Sequence, residues 1–245
     1  MNPKRRFSLA AACLAALALP ASVAAGASPT QVFIDNGELN YVGSLSADAN
    51  KRAFELFSNA QPRPAILSIR SKGGATGAGI ELGRWVHAQG LTVKVMEYCF
   101  SSCANYVFTA APRKVVSNFA IVGYHGGLSS TSFQLDEEQE AMLKALPADQ
   151  REALRAKLEE AVRKTVAPQA EEERQFFERI GVQQRITTLG QAPAFERART
   201  AKSIGWTYSA ADFGKFGVHD IRVVNPPWQP VFLNSDRSII TIAVD

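Results

Sequence analysis

The chain has 245 residues, 46% of them apolar and 20% charged, with 27 basic side chains against 23 acidic ones. That length suits one domain with one good core, and the sequence holds no internal repeat and no long low-complexity tract. The formal charge of +4 falls to +1 once Lys4, Arg5 and Arg6 are set aside, which leaves no basic footprint of the kind a nucleic-acid partner requires.

Those three basic residues precede an apolar run from Phe7 to about Leu19 and then the small-residue stretch "PASVAAGAS". A charged start, a short apolar core and an A-x-A-like site predict a secretory signal peptide over 1–25, cut after Ala25 or Ala27. The apolar run is shorter than the ~20 residues a membrane span needs. The mature chain is therefore expected to be exported, with the periplasm as its destination, Cys99 and Cys103 as its remaining cysteines and one domain over 31–245.

"QVFIDNGELNYVG" predicts two strands around Asn36-Gly37. "SADANKRAFELFSNA" predicts a helix with Ser46 as N-cap and Ala53, Leu56 and Phe57 on one face. "AILSIRS" reads as a buried strand running into Gly73-Gly74, then a helix closed by Gly90. "LTVKVME" is a strand, "SCANYVFTAA" a short helix and "AIVGYH" a strand. Strands alternating with helices imply an α/β layered fold with parallel strands. From Asp136 to Gly181 the chain turns to charged helical stretches, a helical arm over 136–181. Pro147 and Pro168 stand as first-turn residues of new helices, and Leu154, Leu158, Ala161, Val162 and Val166 form a narrow apolar stripe. Such a stripe serves either a surface helix packed once on the core or an arm for self-association. Ser209 caps a further short helix ending at Gly217, "HDIRVV" is a strand, and "PVFL" with "SIITIAV" predict a terminal hairpin.

Three junctions are candidates for chemistry. "SIRSKGGATGAG" places two glycines between strand and helix, where backbone N–H groups can face a phosphate or an oxyanion, or simply make a tight turn. It lacks the Gly-Lys-Ser/Thr ending of a P-loop. "EYCFSSCANYVF" puts serines at the start of a helix, as a cap or as a nucleophile near free N–H groups. "AIVGYHGG" ends a strand at His125, one of three histidines.

The order of "SKGG", "FSSCANYVFTAA" and "VGYHGG", with "LNYVGSL" before and "SAADFGKFGVHDI" after, resembles the Clp protease proteolytic-subunit family within the crotonase-like fold, over Leu39 to Val224. The resemblance implies a Clp-protease/crotonase-like α/β fold of repeated β-β-α units with the arm inserted. It assigns Ser102 as nucleophile, His125, 23 residues later, as general base, and Gly73 and Cys103 as oxyanion-hole donors. The family's acid falls at Gly205, where no carboxylate stands; Ser203, Thr207 or Glu196 are substitutes to weigh. Family members form rings and work with an ATP-driven unfoldase, so a homo-oligomer is expected, and export leaves no ATPase partner.

The two cysteines flank the serines. Export and a four-residue separation predict a Cys99–Cys103 disulfide, against two buried thiols as the alternative. Two cysteines at this spacing lack the further ligands a zinc site needs, so no metal and no cofactor is expected. Three functions follow: an exported serine peptidase cutting peptide or protein substrates through an acyl-enzyme; a scaffold or binding protein that lost the acid; and, ranked last because export separates it from coenzyme A, a crotonase-type acyl-coenzyme A enzyme.

Overall fold

The computed structural model describes residues 29–130, 137–233 and 235–245. The expected signal segment, with Cys13, and the start of the arm at Asp136 lie outside them. The Asn36-Gly37 turn folds β1 (Gln31–Asp35) antiparallel onto β2 (Glu38–Val42), as the sequence predicts. Helix α1 (Ala47–Asn59) starts where the Ser46 side chain accepts the N–H of Ala49, and it buries Ala53 and Phe57. Then come β3 (Ile66–Arg70), α2 (Thr76–Gln89), β4 (Thr92–Val95) and β5 (Tyr98–Phe100). The short helix expected next is a π-helix over Cys103–Phe108, buried along its whole length.

β6 (Arg113–Ser117) and β7 (Ile121–Gly123) lead into the arm, α3 (Glu137–Lys144) and α4 (Ala148–Ile180). The chain closes with β8 (Ser203–Thr207), α5 (Ala210–Lys215), β9 (Ile221–Val224) and β10 (Ser238–Thr241). The main sheet runs β1-β2-β3-β4-β6-β9, parallel from β2 onward. Parallel neighbours need long crossovers, and α1 and α2 supply the first two. Leu67 and Ile69 of β3 and Val93 and Val95 of β4 alternate into the core. A second layer is built from the parallel pairs β5–β7 and β8–β10, joined by a bridge between Tyr124 and Trp206. A further bridge, Ser71 to Cys99, ties β5 to the end of β3. This is the α/β architecture of repeated β-β-α units with an inserted helical arm.

Two expectations fail. β10 pairs in parallel with β8 rather than forming a hairpin with "PVFL", because β8 offers it a free edge. No helix begins at Pro168. Instead α4 runs unbroken across it. A proline there forfeits one N–H···O bond and crowds the carbonyl four residues back, but the surrounding Ala, Leu, Glu, Arg and Lys residues favour helix strongly enough to carry it through. Three strands, β5, β6 and β8, went unread in the sequence.

The arm is anchored at its root. Glu173, Phe176 and Phe177 of α4 are buried, with the Phe176 ring edge-on to Tyr106 of the π-helix at 5.6 Å. At the far end Arg151 donates to the carbonyls of Leu143 and Leu146, capping α3. Between them Leu154, Leu158, Val162 and Val166 are half-buried and Ala161 is exposed. Among the described residues no helix is long and apolar enough to cross a membrane.

Candidate active site

Three chain reversals meet at one end of the two layers. The first follows β3. Leu45 clamps it from both sides, donating its N–H to the Gly73 carbonyl (2.9 Å) and accepting the N–H of Ala75 (3.2 Å). Gly73 sits at φ +97°, and a Cβ there would lie 2.8 Å from the Ser101 Cβ and 3.0 Å from the Ser102 nitrogen. Only glycine allows both that backbone and that approach. Its own N–H is donated to Ser71 Oγ at 3.0 Å. The expected oxyanion donor at Gly73 is therefore already engaged.

The second reversal joins β5 to the π-helix. Ser101 occupies the turn itself at φ +58°, a left-handed conformation that costs a residue with a side chain of order 1–3 kcal/mol. Two backbone bonds hold it there, Ser101 N–H to Gly123 O (2.9 Å) and Asn105 N–H to Ser101 O (2.8 Å). The Cys99–Cys103 disulfide spans the same turn, with 5.2 Å between Cα atoms and both residues fully buried. A loop this small gains rigidity more than stability from the bond.

The third reversal follows β7 and carries His125. Its Nε2 lies 2.7 Å from Ser101 Oγ. Ser102, the expected partner, is turned away: it is right-handed at φ −53°, 5% exposed, and its hydroxyl donates to the Gly74 carbonyl at 3.0 Å. The physical reason is the left-handed residue at 101, which throws the first hydroxyl toward the imidazole and the second back toward the glycine turn. The residue after the facing serine is then Ser102, not Cys103. Ser102 and Cys103 open the helix, where N–H groups lack intrahelical acceptors.

The imidazole keeps one edge open and lays one face on the Phe100 ring, at 5.5 Å between centroids and 13° between planes. Burial lowers its pKa below the ordinary 6.5. Among the described residues no carboxylate bonds to it. Gly205 stands where the acid was expected, and a Cβ there would lie 2.1 Å from the Tyr124 carbonyl. The substitutes are placed elsewhere: Ser203 bonds Thr200 and Ser238, Thr207 is buried without a hydroxyl partner, and Glu196 is exposed on a 3-10 turn.

Two carboxamides hold the histidine loop. Asn105 Nδ2 donates to Gly126 O at 2.9 Å, and Gln191 Nε2 to His125 O at 3.4 Å. Beside them opens a cavity of about 220 Å³ whose walls include Thr76, Ser101, Tyr106, Leu128, Val166 and Gln191. Its far wall is fixed by Glu173, which accepts from Tyr106 Oη (2.7 Å), Leu128 N–H (3.2 Å) and Gln184 Nε2 (2.7 Å). Burial, and then the Glu173 carboxylate, push the Tyr106 hydroxyl well above its usual pKa, so it stays protonated and donates. Sequence reasoning missed Phe100, Asn105, Gln191 and Glu173 as site residues; Phe100 and Asn105 lie within the serine junction but were not singled out, and the helical stretch holding Glu173 read as a surface helix or a self-association arm. Among the described residues no cluster of three or more His, Cys, Asp or Glu side chains is placed to hold a metal ion.

No protein-family model and no curated protein matches the chain. Several solved structures overlap it. The membrane-bound stomatin-specific protease 1510-N, solved as a serine-to-alanine mutant, overlaps 84% of this chain and 96% of its own at 10% identity and a TM-score of 0.39. An enoyl-CoA hydratase from Mycobacterium avium subsp. paratuberculosis K-10 overlaps 71% of this chain and 98% of its own at 14% identity and a TM-score of 0.31. One from Thermoplasma volcanium GSS1 does so over 37% of this chain, at 8% identity and a TM-score of 0.29, and the overlap spans 49% of that enzyme's length. Overlaps this shallow carry no argument about chemistry, which rests on the site itself.

Proposed function

We propose that the chain is an exported serine hydrolase acting on peptide bonds, with Ser101 as nucleophile and His125 as general base. The observation that carries this is the 2.7 Å approach of His125 Nε2 to Ser101 Oγ, at a serine held left-handed between a strand and a helix. A nucleophile needs a base within about 2.6–3.2 Å, and a sharp strand-to-helix turn presents its hydroxyl to an open cavity. The neutral imidazole takes the Ser101 proton as Oγ attacks the carbonyl carbon. The oxyanion forms beside the first-turn N–H groups of Ser102 and Cys103. His125 then returns the proton to the leaving amine, and water attacks the ester by the same route reversed.

Among the described residues no carboxylate supports the imidazolium, and in the serine-protease template losing that support costs about 10⁴ in rate. Turnover is accordingly slow. The same observation favours the second reading, a binding protein that retains the fold. Labelling of the mature protein with a fluorophosphonate separates the two. The hydrolase reading expects labelling that is lost in Ser101→Ala and His125→Ala and kept in Ser102→Ala. Folded wild type that takes no label supports the binding protein instead.

A further inference from the structure

We propose that Phe100 is the positioning residue of His125, fixing the imidazole plane by stacking where a triad would use a carboxylate. This rests on the Ser101–His125 reading. Phe100 is the residue before Ser101, so one stretch of backbone carries both the hydroxyl and the ring that aligns the base.

The ring sits in a slot made by absent side chains. A Cβ on Gly123 of β7 would lie 2.2 Å from the Phe100 Cδ2, and one on Gly205 of β8 would lie 2.9 Å from its Cζ. The two backbones that confine the ring are tied to each other by paired bonds between Tyr124 and Trp206, 2.8 Å each. Ile239 closes the slot near Gly123. Position 205, where the acid was expected, is thus the wall of the ring's slot. The ring and the missing acid share one wall: a side chain on residue 205 would run into the Tyr124 carbonyl and the Phe100 ring.

Stacked aromatic groups prefer offset, near-parallel planes with centroids about 4.5–7 Å apart, and the 13° and 5.5 Å seen here fall in that range. Gln191 and Asn105 fix the backbone of the loop but not the ring torsion. Among the described residues the Ser101 hydroxyl and the Phe100 face are the contacts that set the imidazole itself. A stacked ring differs from a carboxylate in one respect. It aligns the base without stabilising its charged form, and the covered face favours the neutral one. Among the described residues the partners of the His125 ring are Phe100 and Ser101, neither of them charged, while Gln191 bonds its backbone carbonyl; burial is the cause of its lowered pKa.

The test uses the full mature chain. In wild type, imidazole proton resonances are followed by NMR through a pH titration, with His125 assigned by its loss in His125→Gln. Upfield ring-current shifts at His125 are expected, and unshifted resonances overturn the proposal. Phe100→Leu, or Phe100→Met if leucine does not fold, keeps bulk and removes the plane. In the folded variant the fluorophosphonate rate constant should fall about 10- to 100-fold, with saturation by the probe unchanged and the His125 midpoint moving up toward 6.5. A folded variant with wild-type rate and midpoint overturns it. Wild type that resists the probe refutes the hydrolase reading alone, and the ring-current shift and the NMR midpoint of the variant then decide the orienting role.

Discussion

Two adjacent hydroxyls with the same chemistry take different partners because their backbones differ: Ser101, left-handed at φ +58°, meets His125, and Ser102, right-handed at −53°, meets the Gly74 carbonyl. On the proposed reading His125 works as a base only when neutral. Since burial holds the His125 pKa below 6.5, labelling should rise with pH through a midpoint below 6.5 and be flat from about pH 7 to 8. A midpoint at or above about 7 would mean that a charge acts on the ring. The sign for stability is the same. The folded state prefers neutral His125, so its contribution is complete above 6.5 and is lost as pH falls through the lower folded pKa. Gly205 makes a separate prediction. Gly205→Ala pushes a methyl into the Tyr124 carbonyl, a backbone atom that cannot swing away, and should cost about 1–3 kcal/mol or more in denaturant unfolding. An unchanged midpoint would contradict the packing. The order of the three junctions was legible in the sequence, and so was His125. Which serine faces it was not, since a φ angle has no residue signature when both neighbours are serine. The glycine at 205 read as a missing acid, although its cause is the Tyr124 carbonyl and, behind it, the Phe100 ring, both far away in sequence.

At the scale of elements, strong local signals were read correctly and non-local ones were not. The Asn36-Gly37 turn, the Ser46 and Ser209 caps and the glycine stop at Gly90 hold because neighbours a few residues apart decide them. β8 escaped notice because "SIGWT" is short and contains glycine; it becomes a strand through Tyr124 on one side and β10 on the other. Pro168 misled for the opposite reason, a local breaker overruled by its surroundings. It is exposed within α4. Proline costs about 3 kcal/mol against alanine inside a helix, while alanine frees the unfolded chain by about 0.4–1 kcal/mol. Pro168→Ala should therefore raise stability by roughly 2 kcal/mol, seen as a higher Tm with added helical signal. A lower Tm would mean that the proline fits a bend the packing needs.

For the whole molecule, three features combine: an expected export signal, a disulfide across the Ser101 turn, and an α/β scaffold that brings three reversals together. The first two predict one observable. Protein recovered from the exported fraction should begin at Gly26 or Ser28 and weigh two hydrogens less than its reduced form. Two thiols alkylated without reductant would contradict the disulfide, and an intact Met1 would contradict export. The arm, anchored by Glu173, Phe176 and Phe177, makes the cavity wall depend on an inserted element, which the charged pattern of 136–181 did not announce.

The most direct measurement is the site of attachment of a fluorophosphonate on the wild-type protein, read by tandem mass spectrometry of the peptide containing Tyr98 to Phe108. The account predicts an adduct on Ser101. An adduct on Ser102 would contradict it, because that hydroxyl would have to leave the Gly74 carbonyl and displace Ser101 from His125.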